Sequence, residues 1–315
     1  MRIRMSPIWL CAAAVVVFSF SLKAQDLGPQ FRRIKDGIYV QSAKTGTGSI
    51  PGGYNANVGI IVTQEGVILI DTGHDFRDAA TVASAVKKLT PLPIRFVINT
   101  EIHADHTMND YAFSPAAVII NSAGAGEAMR VTGDPPLFKR LAQESPEMRE
   151  AAKGYRMVTP HVEYTGKMTL HVGERTLELL ELKHVHSEAD TAVWLPQERV
   201  LFAASVVTSE SGGFINIRPF VTMPDILRSI KMMKALKPEV VIPGHGLGGG
   251  PNFFDVSERY YELLLDRVGR MVREGKSLDE IKRDLRMPEI DSWPGKDERL
   301  PGQIEAAYRA AKGTN

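Results

Sequence analysis

The run Glu101-Ile102-His103-Ala104-Asp105-His106 constrains this chain most. It follows the apolar stretch Phe96-Val97-Ile98, broken at Asn99-Thr100, so four side chains able to bind metal arrive just past a β-type run. In layered α/β folds the loops at the carboxyl ends of strands carry the chemistry. Glu101 and His103 stand two residues apart and share one face of extended backbone, while Asp105 and His106 can turn toward a second point. Two neighbouring metal ions are the natural reading. Zinc accepts imidazole nitrogen and carboxylate oxygen, and a catalytic zinc keeps a position for water. Taken alone, the cluster also fits a solvated polar loop.

Two later stretches repeat the arrangement. His186-Ser187-Glu188-Ala189-Asp190 follows the β-like run Leu177-Glu178-Leu179-Leu180-Glu181-Leu182, and Gly244-His245-Gly246 follows Val240-Val241-Ile242-Pro243. Asp71-Thr72-Gly73 likewise follows Val67-Ile68-Leu69-Ile70. In order and approximate spacing these residues resemble the metallo-β-lactamase superfamily. Its pattern is His-x-His-x-Asp-His, then a lone His, then a bridging acid or its substitute, then Gly-His-Gly. The resemblance implies an α/β fold of the four-layered αββα sandwich type, and hydrolysis assisted by two zinc ions. It also implies that Glu101, His103 and His186 hold the first zinc and that Asp105, His106 and His245 hold the second. Asp105 then has a catalytic role besides ligation, orienting the attacking hydroxide and relaying a proton to the leaving group. Asp71 is read either as an anchor beneath a ligand histidine or as a capping residue, and Asp190 either as such an anchor or as a simple strand-start residue.

The chain departs from the pattern twice. Glu101 stands where the family usually has its first His, and Ser205 stands where many members have a metal-bridging Asp. Ser205 leans toward the lactamase branches, which generally carry Cys or Ser there, and a minority of sequences similar to their third subclass carry Glu at the first position. Ser205, Thr208, Ser209 and Ser211 fall where that branch holds a substrate carboxylate. The leading expectation is a zinc hydrolase that opens a cyclic amide of β-lactam type. Hydrolysis of a lactone or another ester is the alternative within enzymes. A non-catalytic metal-binding protein, motivated by the missing first His, is the alternative outside them.

The rest of the composition narrows partners and compartment. The 315 residues are 43% hydrophobic and 24% charged, enough for one large α/β domain over residues 26–315. A formal charge of +1 with no basic block gives no reason to expect nucleic acid, and a small-molecule substrate is the expected partner. The oligomeric state leaves no mark in the sequence. Arg2 and Arg4 precede an apolar segment over 8–22, short of the ~20 residues of a membrane span. Residues 1–25 are therefore expected to be a signal peptide cleaved near Ala24, giving a periplasmic or secreted protein without stable membrane association. A retained anchor is the alternative, since Leu22 is not the small residue preferred before the cut. The sole cysteine, Cys11, lies in that segment, so the mature chain has no disulfide, thiolate nucleophile or Cys ligand.

Periodicity places the elements. Residues 34–40 read as a strand, and 58–62 with 67–70 as a hairpin. The Gly-rich stretch 45–54 is either a cover over the substrate or a plain connection. Helical spacing over 76–89 puts Ala79, Val82, Ala83, Val86 and Leu89 on one side. A strand over 117–120 and a short helix near 124–131 follow, and 132–158 reads as a helical insertion that is either a lid or a surface excursion. Strands over 168–172, 175–182, 191–195 and 199–207 make a second sheet, followed by a helix over 224–236, a strand over 239–242 and helices from Asp255 onward. Ser277-Leu278-Asp279-Glu280 has the form of a capping box. His74, His161, His171 and His184 lie outside the matched positions and are expected to be ordinary surface or core histidines.

Overall fold

The computed structural model describes residues 26–42, 56–73, 77–133, 145–207, 217–218, 220–246, 249–250, 252–293 and 295–314. The expected signal peptide, the Gly-rich stretch 45–54, His74, Thr208, Ser209, Ser211 and residues 134–144 of the insertion lie outside these residues. Among the described residues no helix is long and apolar enough to cross a membrane.

Among the described residues twelve strands form two sheets. The first holds seven: β1 (Phe31–Lys35), β2 (Ile38–Gln41), β3 (Val58–Thr63), β4 (Gly66–Ile70), β5 (Ile94–Ile98), β6 (Val118–Ser122) and β7 (Val162–Tyr164), in that spatial order. Neighbours pair antiparallel as far as β4 and parallel from β4 to β7. The second sheet runs β12-β11-β10-β9-β8, from β8 (Lys167–Val172), β9 (Arg175–Lys183), β10 (Ala189–Leu195), β11 (Val200–Phe202) and β12 (Val240–Ile242). Its one parallel pair is β11 with β12. Parallel neighbours need crossovers. These are α1 (Asp78–Leu89) after β4, the short turns α2 (Ala104–Thr107) and α3 (Asp110–Phe113) after β5, and α4 (Ala123–Thr132) with α5 (Pro146–Ala151) after β6. In the second sheet α6 (Met223–Ala235) joins β11 to β12, and α7 (Asn252–Arg273), α8 (Leu278–Asp284) and α9 (Lys296–Lys312) close the chain.

Side-chain alternation explains the layering. Successive strand residues face opposite sides, so a strand covered on both faces reads as one apolar run. Ile61, Ile68, Ile70 and Ile98 of the first sheet meet Leu177, Leu179, Val193 and Phe202 of the second in a shared inner core. Their neighbours Ile60, Leu69 and Val97 point the other way, onto Val82, Val86 and Leu89 of α1. Outside the second sheet, Leu182, Trp194 and Val241 are covered by Ile226 and Ile230 of α6, Leu264 and Val268 of α7 and Ile304 of α9. The result is the expected αββα sandwich.

Several element boundaries differ from the sequence reading. The strand expected over 34–40 is two strands, split by a turn at Asp36-Gly37 where Gly37 takes φ +67°. In α1 the fifth buried position is Ala85, not Ala83. Strand β7 had no sequence signal. The strand expected over 199–207 ends at Phe202, because Ala204 adopts φ +51° and opens a 3-10 turn over Ala204–Val206. That turn brings Ser205 to the strand ends. The capping box forms as expected, with Ser277 N donating to Glu280 Oε2 at 2.8 Å and Glu280 N to Ser277 Oγ at 3.3 Å.

Candidate metal centre

Five loops meet at the carboxyl ends of β4, β5, β9, β11 and β12. After β5 the chain bends through Glu101 to His103, whose extended backbone (φ −67°, ψ 151°) starts the single turn α2. His106 N donates to His103 O at 2.9 Å, which swings Asp105 and His106 to a different side from Glu101 and His103. Thr191 N donates to Thr100 O at 2.7 Å, tying this loop to the second sheet.

The six residues expected as ligands come together. Glu101 Oε2 meets His103 Nδ1 in a close contact and lies 3.2 Å from His186 Nε2. His106 Nε2 lies 3.4 Å from His245 Nε2 and 3.8 Å from Asp105 Oδ2, and His245 Nε2 lies 3.5 Å from Asp105 Oδ2. The two expected trios are therefore spatial groups. A third relationship was not expected: Glu101 Oε1 sits 2.9 Å from His106 Nε2, so Glu101 closes a group with His106 and His245 as well as with His103 and His186. Ser205 Oγ is buried and donates to Glu101 Oε1 at 2.5 Å, so it addresses an expected ligand carboxylate.

Three of the expected ligands are held from behind, His106 by its ring and His186 and His245 by their backbone. Asp71, at φ +60°, accepts from Thr100 N and Thr100 Oγ1 at 2.7 Å each, and its Oδ2 lies 2.9 Å from His106 Nδ1. Asp190 accepts from His186 N at 2.8 Å and from Ser187 Oγ at 2.6 Å, and Arg218 Nη1 donates to His186 O at 2.9 Å. Asp71 thus takes the anchoring alternative through the His106 ring, whereas Asp190 holds the turn that carries His186 through backbone N–H groups and Ser187. Asn57, which carried no sequence signal, donates from Nδ2 to Pro243 O and to Gly246 O, 2.8 Å each, and brackets the His245 turn. Gly244 lets that turn approach Ser205: a Cβ there would lie 2.4 Å from Ser205 Oγ.

The other described histidines are elsewhere. His184 is exposed beside Asp225, His161 accepts from Ile119 N at 3.0 Å, and His171 pairs with Thr176.

Charge is concentrated and buried. Burial alone pushes the Glu101 carboxyl up, but His106, His186 and His103 together hold it well below the usual range. Burial pulls His106 down, and Glu101, Asp71 and Asp105 overcome it to raise the ring well above its ordinary value. His186 is raised against burial mainly by Glu101, whereas burial leaves His245 lowered.

The donor set fits zinc. Bonds of about 2.0–2.2 Å in a tetrahedron separate ligand atoms by roughly 3.3–3.6 Å, close to the 3.4, 3.5 and 3.8 Å of the second trio. Asp71 holds His106 by Nδ1, which aims Nε2 at His245 Nε2 and Glu101 Oε1, atoms that a shared cation would draw together. Among the described residues His186 Nδ1 has no hydrogen-bond partner, which leaves the ring oriented by its Nε2 side.

Two face-to-face sheets under helices, with imidazoles and carboxylates converging at strand ends, define the sandwich class of metallo-hydrolases. The sequence profile of the metallo-beta-lactamase superfamily matches residues 51–245, more than half of the chain, and the protein belongs to that family. The chain is 26% identical over 202 residues to metallo-beta-lactamase IND-1 of Chryseobacterium indologenes, covering 62% of this chain and 75% of that one. It is 20% identical over 264 residues to a linear primary-alkylsulfatase of a Pseudomonas strain, covering 73% of this chain and 49% of that enzyme. Among solved structures it is similar to a metallo-beta-lactamase from Pontibacter korlensis (TM-score 0.57, 20% identity, 74% of this chain and 98% of that one). It is likewise similar to DIM-1 metallo-beta-lactamase (TM-score 0.58, 16% identity, 75% and 98%). At these identities the structural matches bear on the fold.

Proposed function

We propose that this protein is an exported zinc hydrolase that opens the cyclic amide of a β-lactam. The observation that carries the reading is the convergence of Glu101, His103 and His186 and of Asp105, His106 and His245 as two adjoining groups of zinc-type donors. Similarity to metallo-beta-lactamase IND-1 supports the substrate class. Export is supported by the charged start and apolar core of residues 1–25.

Zinc bound there supplies Lewis acidity and lowers the pKa of water from about 15.7 toward ~7. The chain's own groups supply the positioning. Asp71 fixes the His106 ring through Nδ1 and presents Nε2 to the centre, as Asp190 fixes the backbone that carries His186. Asp105 is the ligand carboxylate with solvent access, 15% exposed against 0% for Glu101. It is therefore placed to orient the attacking water, to take a proton from it and to pass that proton to the departing amide nitrogen. Such proton transfer contributes about 10²–10⁴-fold in rate.

A second reading, hydrolysis of a lactone, sulfate ester or other ester, is favoured by the similarity to the alkylsulfatase. The same donors serve either bond. The test is to purify the protein, count zinc, and assay penicillin, cephalosporin, carbapenem, acyl-lactone and primary alkyl sulfate substrates with and without chelator. Chelator-sensitive loss of β-lactam absorbance is the expected result. Turnover confined to esters would move the protein to the second reading, and zinc binding without any turnover would make it a metal-binding protein only. For export, N-terminal sequencing should find a start near Gln25; Met1 on a membrane-bound product would refute it.

A further inference from the structure

We infer that Glu101 is a shared carboxylate, one oxygen serving each metal position, and that Ser205 is the residue that sets it in that bridging orientation. The inference rests on the reading of the two groups as zinc positions but concerns which residue joins them.

The geometry divides the carboxylate in two. Oε2 faces His103 Nδ1 and His186 Nε2, the first group, with the latter at 3.2 Å. Oε1 faces His106 Nε2 of the second group at 2.9 Å and receives the Ser205 hydroxyl at 2.5 Å. An imidazole at position 101 could offer one lone pair to one ion. A carboxylate offers two oxygens about 2.2 Å apart, a span suited to ions about 3.5–4 Å apart, as in two-metal sites. The Glu101 side chain is 0% exposed and has no water-facing oxygen to spare.

Charge and packing agree with this. Glu101 and Asp105 each contribute one negative charge to the six ligands, and the four imidazoles contribute none. A buried carboxylate shared between two divalent ions is compensated from both sides, whereas a terminal one would leave Oε1 to the Ser205 hydroxyl and the His106 ring. Position 205 cannot supply an acid of its own without crowding this oxygen. Ser205 is 8% exposed, its Oγ already touches Oε1, and Gly244 leaves no room behind it, since a Cβ there would fall 2.4 Å from Ser205 Oγ. The short hydroxyl and the long acid are therefore complementary: the acid that joins the two positions comes from the loop after β5, and residue 205 steers it.

The test is metal binding, read independently of turnover. Metal-free full-length protein is titrated with Co(II), following visible absorption for affinity and electron paramagnetic resonance for spin coupling. The wild type should bind two ions that couple. Glu101→Gln should weaken both ions by about 10-fold or more, whereas His103→Ala and His245→Ala should each weaken chiefly one. Glu101→His, which keeps a ligand for the first position, should retain the first ion, weaken the second and lose the coupling. Ser205→Ala should keep two ions but reduce the coupling, with a smaller loss at both positions. If Glu101→His leaves the second ion's affinity and the coupling unchanged, Glu101 is a terminal ligand and the inference falls. A wild type that binds one Co(II) overturns it too, even if that protein hydrolyses β-lactams. Coupled binding of two ions lost in Glu101→His supports it even if no substrate in the panel is turned over.

Discussion

Asp71 Oδ2 lies 2.9 Å from His106 Nδ1, with both side chains buried and the carboxylate also gripped twice by Thr100. This contact sets the tautomer of His106. With a metal bound, the ring proton would stay on Nδ1 and the Nε2 lone pair would face the ion, on the side of His245 and Glu101.

Asp71→Asn should reverse that tautomer. An amide Nδ2 placed against the ring would donate to Nδ1, forcing the proton onto Nε2 and blocking the ligand atom. Metal affinity should fall by about 10–100-fold, the usual effect of losing such an outer partner. The measurement is zinc competition with a chromophoric chelator, with circular dichroism to verify folding. A folded variant with wild-type zinc affinity would show that Asp71 serves only Thr100 and the backbone.

Gly244→Ala tests the close approach of the last loop. The added methyl would meet Ser205 Oγ at 2.4 Å and the Ala204 carbonyl carbon at 3.1 Å. Overpacking of this kind costs about 1–3 kcal/mol. Because the backbone around Ser205 must move, its hydrogen bond to Glu101 should weaken as well. Thermal unfolding of the metal-free protein should show a lower midpoint. An unchanged midpoint would mean that the loop relaxes without strain.

How far the sequence exposes these features depends on periodicity. Strands covered on both faces are apolar runs, and a run that ends in His or Asp announces a site; Glu101, His103, His186 and His245 were legible for that reason. The double role of Glu101 was not. It depends on where the loop after β5 meets the turn at Ser205, and that turn hinges on one left-handed residue, Ala204, inside a run that otherwise reads as strand. Asn57, Thr72, Asn99 and Asp110 are polar residues at the edges of apolar runs. Polar residues of this kind have no period, and their partners lie on other elements.

Asn57→Ala should loosen the His245 turn. Asn57 satisfies two backbone carbonyls, Pro243 O and Gly246 O, and a buried carbonyl left without a donor costs about 1–3 kcal/mol. The expected result is weaker binding of the ion that His245 holds, with the ion at His103 and His186 little changed. Stepwise Co(II) titration separates the two. Equal loss at both positions would mean that the turn supports the whole centre, not His245 alone.

The last prediction concerns Asp110, which lies beneath the ligand loop and touches none of the ligands' side chains. Burial pushes its carboxyl up to about 8, with Asn99 and Thr72 opposing. Thr72 Oγ1 lies 2.9 Å from His106 O and donates to Asp110 Oδ1 at 3.1 Å. Asn99 Nδ2 donates to the other oxygen at 2.7 Å. A folded-state pKa above the unfolded one means that the native protein binds the extra proton. Stability is then fully present below the unfolded value and falls as pH rises, until the group has ionised at about 8. Within that window the loss approaches about 1.4 kcal/mol per pH unit. Asp110→Asn keeps an acceptor for Asn99 but cannot ionise. Urea unfolding of the metal-free protein from acid to mildly alkaline pH should therefore show the wild type losing stability relative to Asp110→Asn as pH rises, with the gap constant above the window. A gap independent of pH would mean that Asp110 is ionised in the native state, held by a charge partner and not by its proton.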